Sequence, residues 1–215
     1  MRCLVVVAHP DDEAIWMGGL IIRKSVWDWT ILCLSRSGDP DREPRFRAAA
    51  REFGARAYIT DMDDSPVLVE LSSDLHEIKD RVKYLVSPKW DLIFTHGAEG
   101  EYTRHIRHEQ VHSAVYRMVE DSELSGDLIC FAYEDCGGKC IPHPHPCAQA
   151  VINLGEWEYA AKRHIVQDIY GFDEGSFELG STGRAEAFTV HGYSRTDTEL
   201  QDLLVGDVNE NSYAL

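Results

Sequence analysis

The chain has 215 residues, with 37 acidic and 21 basic side chains and a formal charge of −16. One domain accommodates that length, and a core of this size needs no covalent staple. The negative balance argues against nucleic acid and anionic membranes as partners, since both require basic surface, and 44% hydrophobic content argues against disorder.

Cys3–Ala8 is a β-branched apolar run, the pattern of a strand buried on both faces. It is too short for a secretory signal, and no stretch approaches ~20 continuous apolar residues, so the sequence leads to a cytoplasmic chain without a transmembrane segment. Ala14–Lys24 has helical length, and Trp29–Leu34 is a second buried strand. Ser35–Pro44 is a turn-rich loop, and Arg45–Phe53 is a helix stopped at Gly54. Ala57–Thr60 reads as a third strand. Leu75, Ile78, Val82 and Leu85 place an amphipathic helix over Asp74–Leu85. Leu92–Thr95 is a fourth strand, Arg107–Glu120 a helix, Leu128–Tyr133 a fifth strand, Ala150–Asn153 a candidate sixth and Gly155–Gln167 a last helix. Apolar content thins after Gly171, and 196–215 reads as an acidic surface tail behind a domain over 1–195. This alternation predicts an α/β fold: a Rossmann-like, mostly parallel sheet with helices on both faces, in a single domain.

Ligands of open α/β sheets bind beyond the carboxyl ends of the strands. After the first strand comes His9-Pro10-Asp11-Asp12-Glu13, and after the fourth come His96, Glu101, Tyr102, His105 and His108. Imidazoles and carboxylates are the usual ligands of a catalytic zinc. Three carboxylates beside one His are costly unless a cation neutralises them. A helix start decorated with acids accounts for Asp12 as cap and Glu13 on the dipole, but leaves His9 and Pro10 unexplained. His105 and His108 stand three residues apart and His108 and His112 four apart, so either pair shares a helix face. His112 reads as structural or supporting, and His96 as either a site wall or an orienting group.

The two clusters together resemble the PIG-L/LmbE-like family of zinc-dependent N-acetylglucosaminyl deacetylases. The likeness rests on Ala8-His9-Pro10-Asp11-Asp12-Glu13 and, about ninety residues later, Gly100-Glu101-Tyr102 with His105-x-x-His108. Gly18-Gly19, Arg42 with Ala49 and Phe53-Gly54, Thr95-His96-Gly97 and His164-x-x-Gln167 extend it over roughly residues 3–190. The resemblance implies His9, Asp12 and His108 as ligands of zinc or another divalent metal such as Fe2+. It implies Asp11 as general base, His105 as a protonated imidazole stabilising the oxyanion, and Arg42, Asp64 and Tyr102 as substrate contacts. Glu13 reads as supporting the metal. The implied partner is a small N-acetylated amino sugar or its conjugate, deacetylated by metal-activated water. A non-sugar N-acyl substrate, or a non-catalytic sugar- or metal-binding homologue, is the alternative, and the oligomeric state stays open, a homo-oligomer included.

Three positions depart from the family pattern. Arg107 stands where the family often has Asp, and is expected to face solvent or an anionic substrate. An extra residue separates Tyr102 from His105, and Arg45 replaces an acid. A polyanionic substrate would require Arg42, Arg45, Arg104 and Arg107 to gather into a basic rim.

Cys3 and Cys33 read as buried small hydrophobes. Cys136, Cys140, His143, His145 and Cys147 lie in a Gly- and Pro-rich insert that reads as a second metal site, a rigid rim loop or a redox-labile pair. Trp27, Trp29, Trp90, Trp157 and Tyr159 offer a sugar platform or, for most of them, core packing.

Overall fold

The computed structural model describes residues 1–64, 74–103, 105–191 and 195–206. In chain order, β1 is Arg2–Val7, α1 Asp12–Arg23, β2 Asp28–Ser35, α2 Arg42–Glu52, β3 Arg56–Met62, α3 Leu75–Leu85, β4 Lys89–Thr95, α4 Ile106–Glu120 and β5 Ser125–Phe131. There follow the short strands β6 (Tyr133–Glu134), β7 (His143–Pro144) and β8 (Ala150–Asn153), then α5 (Glu156–His164) continuing into one π-helical turn (Ile165–Ile169). The last elements are α6 (Phe177–Ser181), β9 (Ala185–Val190) and α7 (Asp197–Val205).

Seven strands form one sheet in the order β3-β2-β1-β4-β5-β9-β8. The first five are parallel, and β9 and β8 add antiparallel at one edge. Side chains alternate across each strand. Cys3, Val5 and Val7 therefore pack against Trp16, Met17 and Leu20 of α1, while Leu4 and Val6 pack against Ile78 and Val82 of α3 and Val111 and Val115 of α4. Both faces of β1 are buried, which is why its sequence is continuously apolar. Gly19 lets α1 approach closely: a Cβ there would fall 2.4 Å from the Leu154 side chain, which would have to shift.

Chain order reverses between β1 and β4, and the crevice at their carboxyl ends is where an open α/β sheet places its ligand. Val6 pairs with Thr95, whose Oγ1 donates to the Val6 carbonyl at 2.9 Å. Residues 8–13 and 96–108 are thereby held side by side.

The expectation of a surface tail from residue 196 is corrected over its first half. Thr196 caps α7 in a capping box with Glu199, and Leu200 and Leu204 are buried in the core. The acids of this segment lie outward while its leucines anchor it. Residues 207–215 lie outside the described residues. The fifth strand ends at Phe131, and Tyr133 starts the separate β6–β7 hairpin. Among the described residues no helix is long and apolar enough to cross a membrane.

Candidate active site

Pro10 and Asp11 turn the chain sharply from β1 into α1. Asp11 takes φ 119°, a left-handed conformation that L residues avoid. Its carbonyl accepts from the Ala14 and Ile15 amides, which starts the helix. Asp12 does not cap α1. Its carboxylate turns back, accepts the His9 amide at 2.8 Å and the Trp16 indole N–H at 3.2 Å, and is 3% exposed.

Three predicted site residues meet there. His9 Nδ1 lies 3.2 Å from His108 Nε2, and the Asp12 oxygens lie 3.4 Å from each of those nitrogens. The opposite ring nitrogens are committed to carboxylates. His9 Nε2 donates to Asp64 Oδ1 at 2.9 Å, and His108 Nδ1 donates to Glu101 Oε2 at 2.5 Å. Each imidazole therefore presents a lone pair to the other. A divalent ion with ligand bonds near 2.0–2.1 Å in tetrahedral geometry sets its donor atoms roughly 3.3 Å apart. The donor set and its spacing fit such an ion, and the partner on each far nitrogen is the usual device for fixing a ligand's tautomer.

His96 lies against Asp12 and His108, and these three bring donor atoms within 4.8 Å of one another, as do His9, His105 and His108. The Ala8 amide donates to His96 Nε2 at 3.0 Å, so that lone pair is taken. Its Nδ1–H goes to Glu101 at 2.9 Å. Burial opposes charge on the ring, but Glu101 and Asp12 outweigh it and raise His96 to about 9, while the amide at Nε2 favours the neutral form. His96 thus orients Glu101, which also accepts the Gly97 amide and is fully buried. His112 Nδ1 bonds the His96 carbonyl at 2.9 Å, a supporting role.

The charges follow from this packing. Burial would raise Asp12, but His108 and His96 beside it and the bond from His9 hold it well below the usual carboxylate range. Burial would discharge His9, but Asp12 and Asp64 outweigh it and raise the ring to about 10. Without a metal, a proton fills the gap. Asp11 moves the other way: burial and the neighbouring Asp12 raise it well above the ordinary value, while His9 and Arg42 only partly offset this.

The structure places Asp11, Arg42, Asp64, Tyr102 and His105 around one cavity of about 360 Å³ that opens over His9. Arg42 Nη1 lies 3.7 Å from Asp11 Oδ2, and its guanidinium stacks on Phe172. Tyr102 packs edge-on against His105 and His108 despite the extra residue in its loop. Asp64, expected as a substrate contact, is already engaged by His9 and by Arg36 at 2.9 Å. His105 stacks on His108 with ring centroids 4.1 Å apart. Its Nδ1 has no hydrogen-bond partner among the described residues. Burial, then the adjacent imidazoles His108 and His9, push His105 down to about 3. Among the described residues no carboxylate bonds this ring, and Arg107 stands where the family often has Asp, so these surroundings do not favour the protonated imidazole that the sequence led to expect.

Arg107 is buried and faces neither solvent nor a substrate. It donates to Asp74 and Gln110 at 2.7 Å and to the Asp63 carbonyl. Arg45 bonds Asp41 and the Ile169 carbonyl. The basic rim is not assembled from Arg42, Arg45 and Arg107, and Arg104 lies outside the described residues. Glu13 accepts from Tyr170 and from the Asp11 amide, so it supports the Asp11 turn and does not face the ligand atoms. His164 is exposed and pairs with Asp168. The aromatic wall of the cavity comes from Trp16, Tyr102 and Phe177, and Arg36 adds a cation. Of the proposed platform aromatics, Trp29 is core and Trp157 is exposed.

Trp16, Phe177 and Arg36 were given no site role by the sequence, and Glu101, placed in the second cluster, was given no particular one. For Glu101 the signal was a carboxylate five residues from one histidine and seven from another.

A family model described as PIG-L, GlcNAc-PI de-N-acetylase, matches residues 4–119, more than half of the 215-residue chain. No curated protein matches. Among solved structures, the chain is similar to a 4-carboxy-2-hydroxymuconate hydratase, GalB, from Pseudomonas putida KT2440 (16% identity, 91% of this chain, 98% of that one, TM-score 0.61). It is also similar to the A40926 pseudoaglycone deacetylase Dbv21 (12% identity, 90% and 98%, TM-score 0.63). A third is the N,N'-diacetylchitobiose deacetylase from Pyrococcus horikoshii (16% identity, 88% and 83%, TM-score 0.61). At these identities the likeness is one of fold, and the fold carries a hydratase as well as deacetylases.

Proposed function

The chain belongs to the GlcNAc-PI de-N-acetylase (PIG-L) family, and from that premise we propose that it is a metal-dependent hydrolase removing acetyl from an N-acetylated amino sugar or its conjugate. The observation that carries the reading is the facing pair of lone pairs, His9 Nδ1 and His108 Nε2, with Asp12 beside them. These three residues would hold a divalent ion, with zinc favoured by the mixed imidazole and carboxylate donors. Such an ion supplies a water of lowered pKa, near ~7, and a Lewis acid for the acyl oxygen.

The remaining steps fall to the chain's own groups. Asp11 accepts the proton of the attacking water and returns it to the leaving amine. Burial and the neighbouring Asp12 shift its carboxyl upward, the direction that strengthens a carboxylate as a proton acceptor. His105 donates an N–H to the oxygen that gains charge as the acyl carbon becomes tetrahedral, and a neutral imidazole suffices for this. Arg42 and Tyr102 contact substrate. Trp16, Tyr102 and Phe177 offer apolar faces to a sugar ring, and the carboxylates and guanidinia around them suit its hydroxyls. A second cleft of about 490 Å³, lined by Thr103, Glu134, Asp135 and His145, shares Tyr102 with the first and suits the rest of a conjugate.

The test is a panel of N-acetylglucosamine conjugates and non-sugar N-acyl compounds, incubated with zinc-loaded protein and assayed for acetate and free amine. Equimolar acetate and amine from a sugar, lost in Asp11→Ala, supports the reading. Release only from non-sugar amides favours the alternative substrate class. Turnover equal to that of Asp11→Ala on every compound contradicts hydrolysis at this site.

A further inference from the structure

β6 and β7 pair Tyr133 with Pro144 and Glu134 with His143, and the eight residues between them form a turn built on Asp135. The Asp135 carbonyl accepts the Lys139 and Cys140 amides, and its carboxylate accepts the Gly138 amide. Cys136, Gly137 and Gly138 all take positive φ, of 55°, 69° and 79°. Two of these positions are glycines, for which that conformation is cheap. Cys136 is not, and the reversal carries its sulfur back toward Cys140.

The ligand atoms of Cys136, Cys140 and His143 lie within 4.8 Å of one another. Cys140 Sγ is 3.6 Å from His143 Nδ1, which also lies 3.3 Å from the Ile141 carbonyl, a contact that an ion on this nitrogen would replace. With zinc–sulfur bonds near 2.3 Å and zinc–nitrogen bonds of 2.0–2.1 Å, a tetrahedral site sets sulfur and nitrogen ~3.6 Å apart. On the far side of the ring, His143 Nε2 stands 3.7 Å from Glu134 Oε1, where a carboxylate steadies a ligating imidazole. All three residues are exposed, so an ion would reach them from solvent and would keep a fourth position open to water. None of the three belongs to the catalytic group. We propose that Cys136, Cys140 and His143 form a second metal site that takes a thiophilic divalent ion, zinc, and closes the β6–β7 turn.

Binding replaces the two thiol protons, released to solvent, with two metal–sulfur bonds, and no oxidant is involved. The site is tied to the active-site mouth. Asp135 accepts the Thr103 amide and hydroxyl, each at 2.7 Å, and Thr103 follows Tyr102 in the loop that leads to His105. An ion in the turn therefore stiffens the hairpin that carries one wall of the second cleft.

Cobalt(II) gives a readout independent of activity, because thiolate ligands produce an intense charge-transfer band that nitrogen and oxygen donors do not. Metal-free wild-type protein with reduced thiols, titrated with cobalt(II), is expected to develop that band and to lose it when zinc is added. Cys136→Ser and Cys140→Ser should abolish it. His108→Ala and Cys147→Ser should retain it, which separates this site from the catalytic one and from the third exposed cysteine of the loop. No band in reduced wild-type protein, its loss in His108→Ala, or its persistence in the Cys136→Ser/Cys140→Ser double variant would overturn the proposal.

Discussion

His9 Nδ1 and His108 Nε2 face each other at 3.2 Å although they lie 99 residues apart in the chain. Each ring's other nitrogen donates to a carboxylate, Asp64 for His9 and Glu101 for His108. Neither ring can turn without giving up that bond. The pairing fixes two lone pairs on one point, which is unfavourable until a cation occupies it.

Glu101 should therefore control metal affinity without touching the metal. Its Oε2 accepts from both His96 and His108. Glu101→Gln is expected to lower zinc affinity about 10–100-fold, measured by chelator competition. Unchanged affinity would mean that His108 is oriented by its stacking alone.

Asp64 discriminates between two roles. As a substrate contact, its loss would raise KM and leave the metal in place. As the partner of His9 Nε2, its loss should weaken metal binding. Asp64→Asn is expected to lower zinc affinity by about tenfold or more, with kcat restored at high zinc. A rise in KM at full metal occupancy would favour the substrate role.

His105 should matter to rate and not to metal content. His105→Ala is expected to keep its zinc and to lose kcat by about 10²–10³-fold, the scale of one missing oxyanion donor. The ring lies at about 3, and a cation nearby lowers it further. Its titration therefore supplies no limb of the pH–rate profile near neutrality. The limbs seen in wild-type protein should persist in the slowed variant, and loss of the alkaline limb would show that His105 acts protonated.

Glu13 links stability to pH. Burial raises it from 4.5 to about 7, against the opposing bond from Tyr170. Between those values the folded chain holds a proton that the unfolded chain has released, so stability falls as pH rises. The span corresponds to up to about 3 kcal/mol. Urea unfolding from about pH 5 to about pH 7 should show a decline that is flattened in Glu13→Gln, and an equal slope in both proteins would exclude Glu13 as its source.

How much of this was legible depended on where the information lay. The β1–α4 half reads directly because parallel strands buried on both faces are unbroken apolar runs that stop at charged residues. β9 was hidden by Glu186, its second residue. That carboxylate is fully buried, accepts the Gly19 and Leu20 amides at 2.7 Å and pairs with Lys162 at 2.8 Å. A charge satisfied from distant elements looks, in sequence, like a surface residue. α7 was hidden by its acids. The ligand residues could be named from two local motifs, but the engagement of Asp64 by His9 and Arg36 arises only where three loops cross. The place of Arg107 was illegible for the same reason, since its partners Asp63 and Asp74 lie over 30 residues away.

The most direct measurement is diffraction from a zinc-loaded crystal at the zinc absorption edge. The account requires an anomalous peak bounded by His9 Nδ1, Asp12 and His108 Nε2, with His96 Nε2 still bonded to the Ala8 amide. A peak ligated by His96, or no peak in this pocket at full zinc loading, would contradict it.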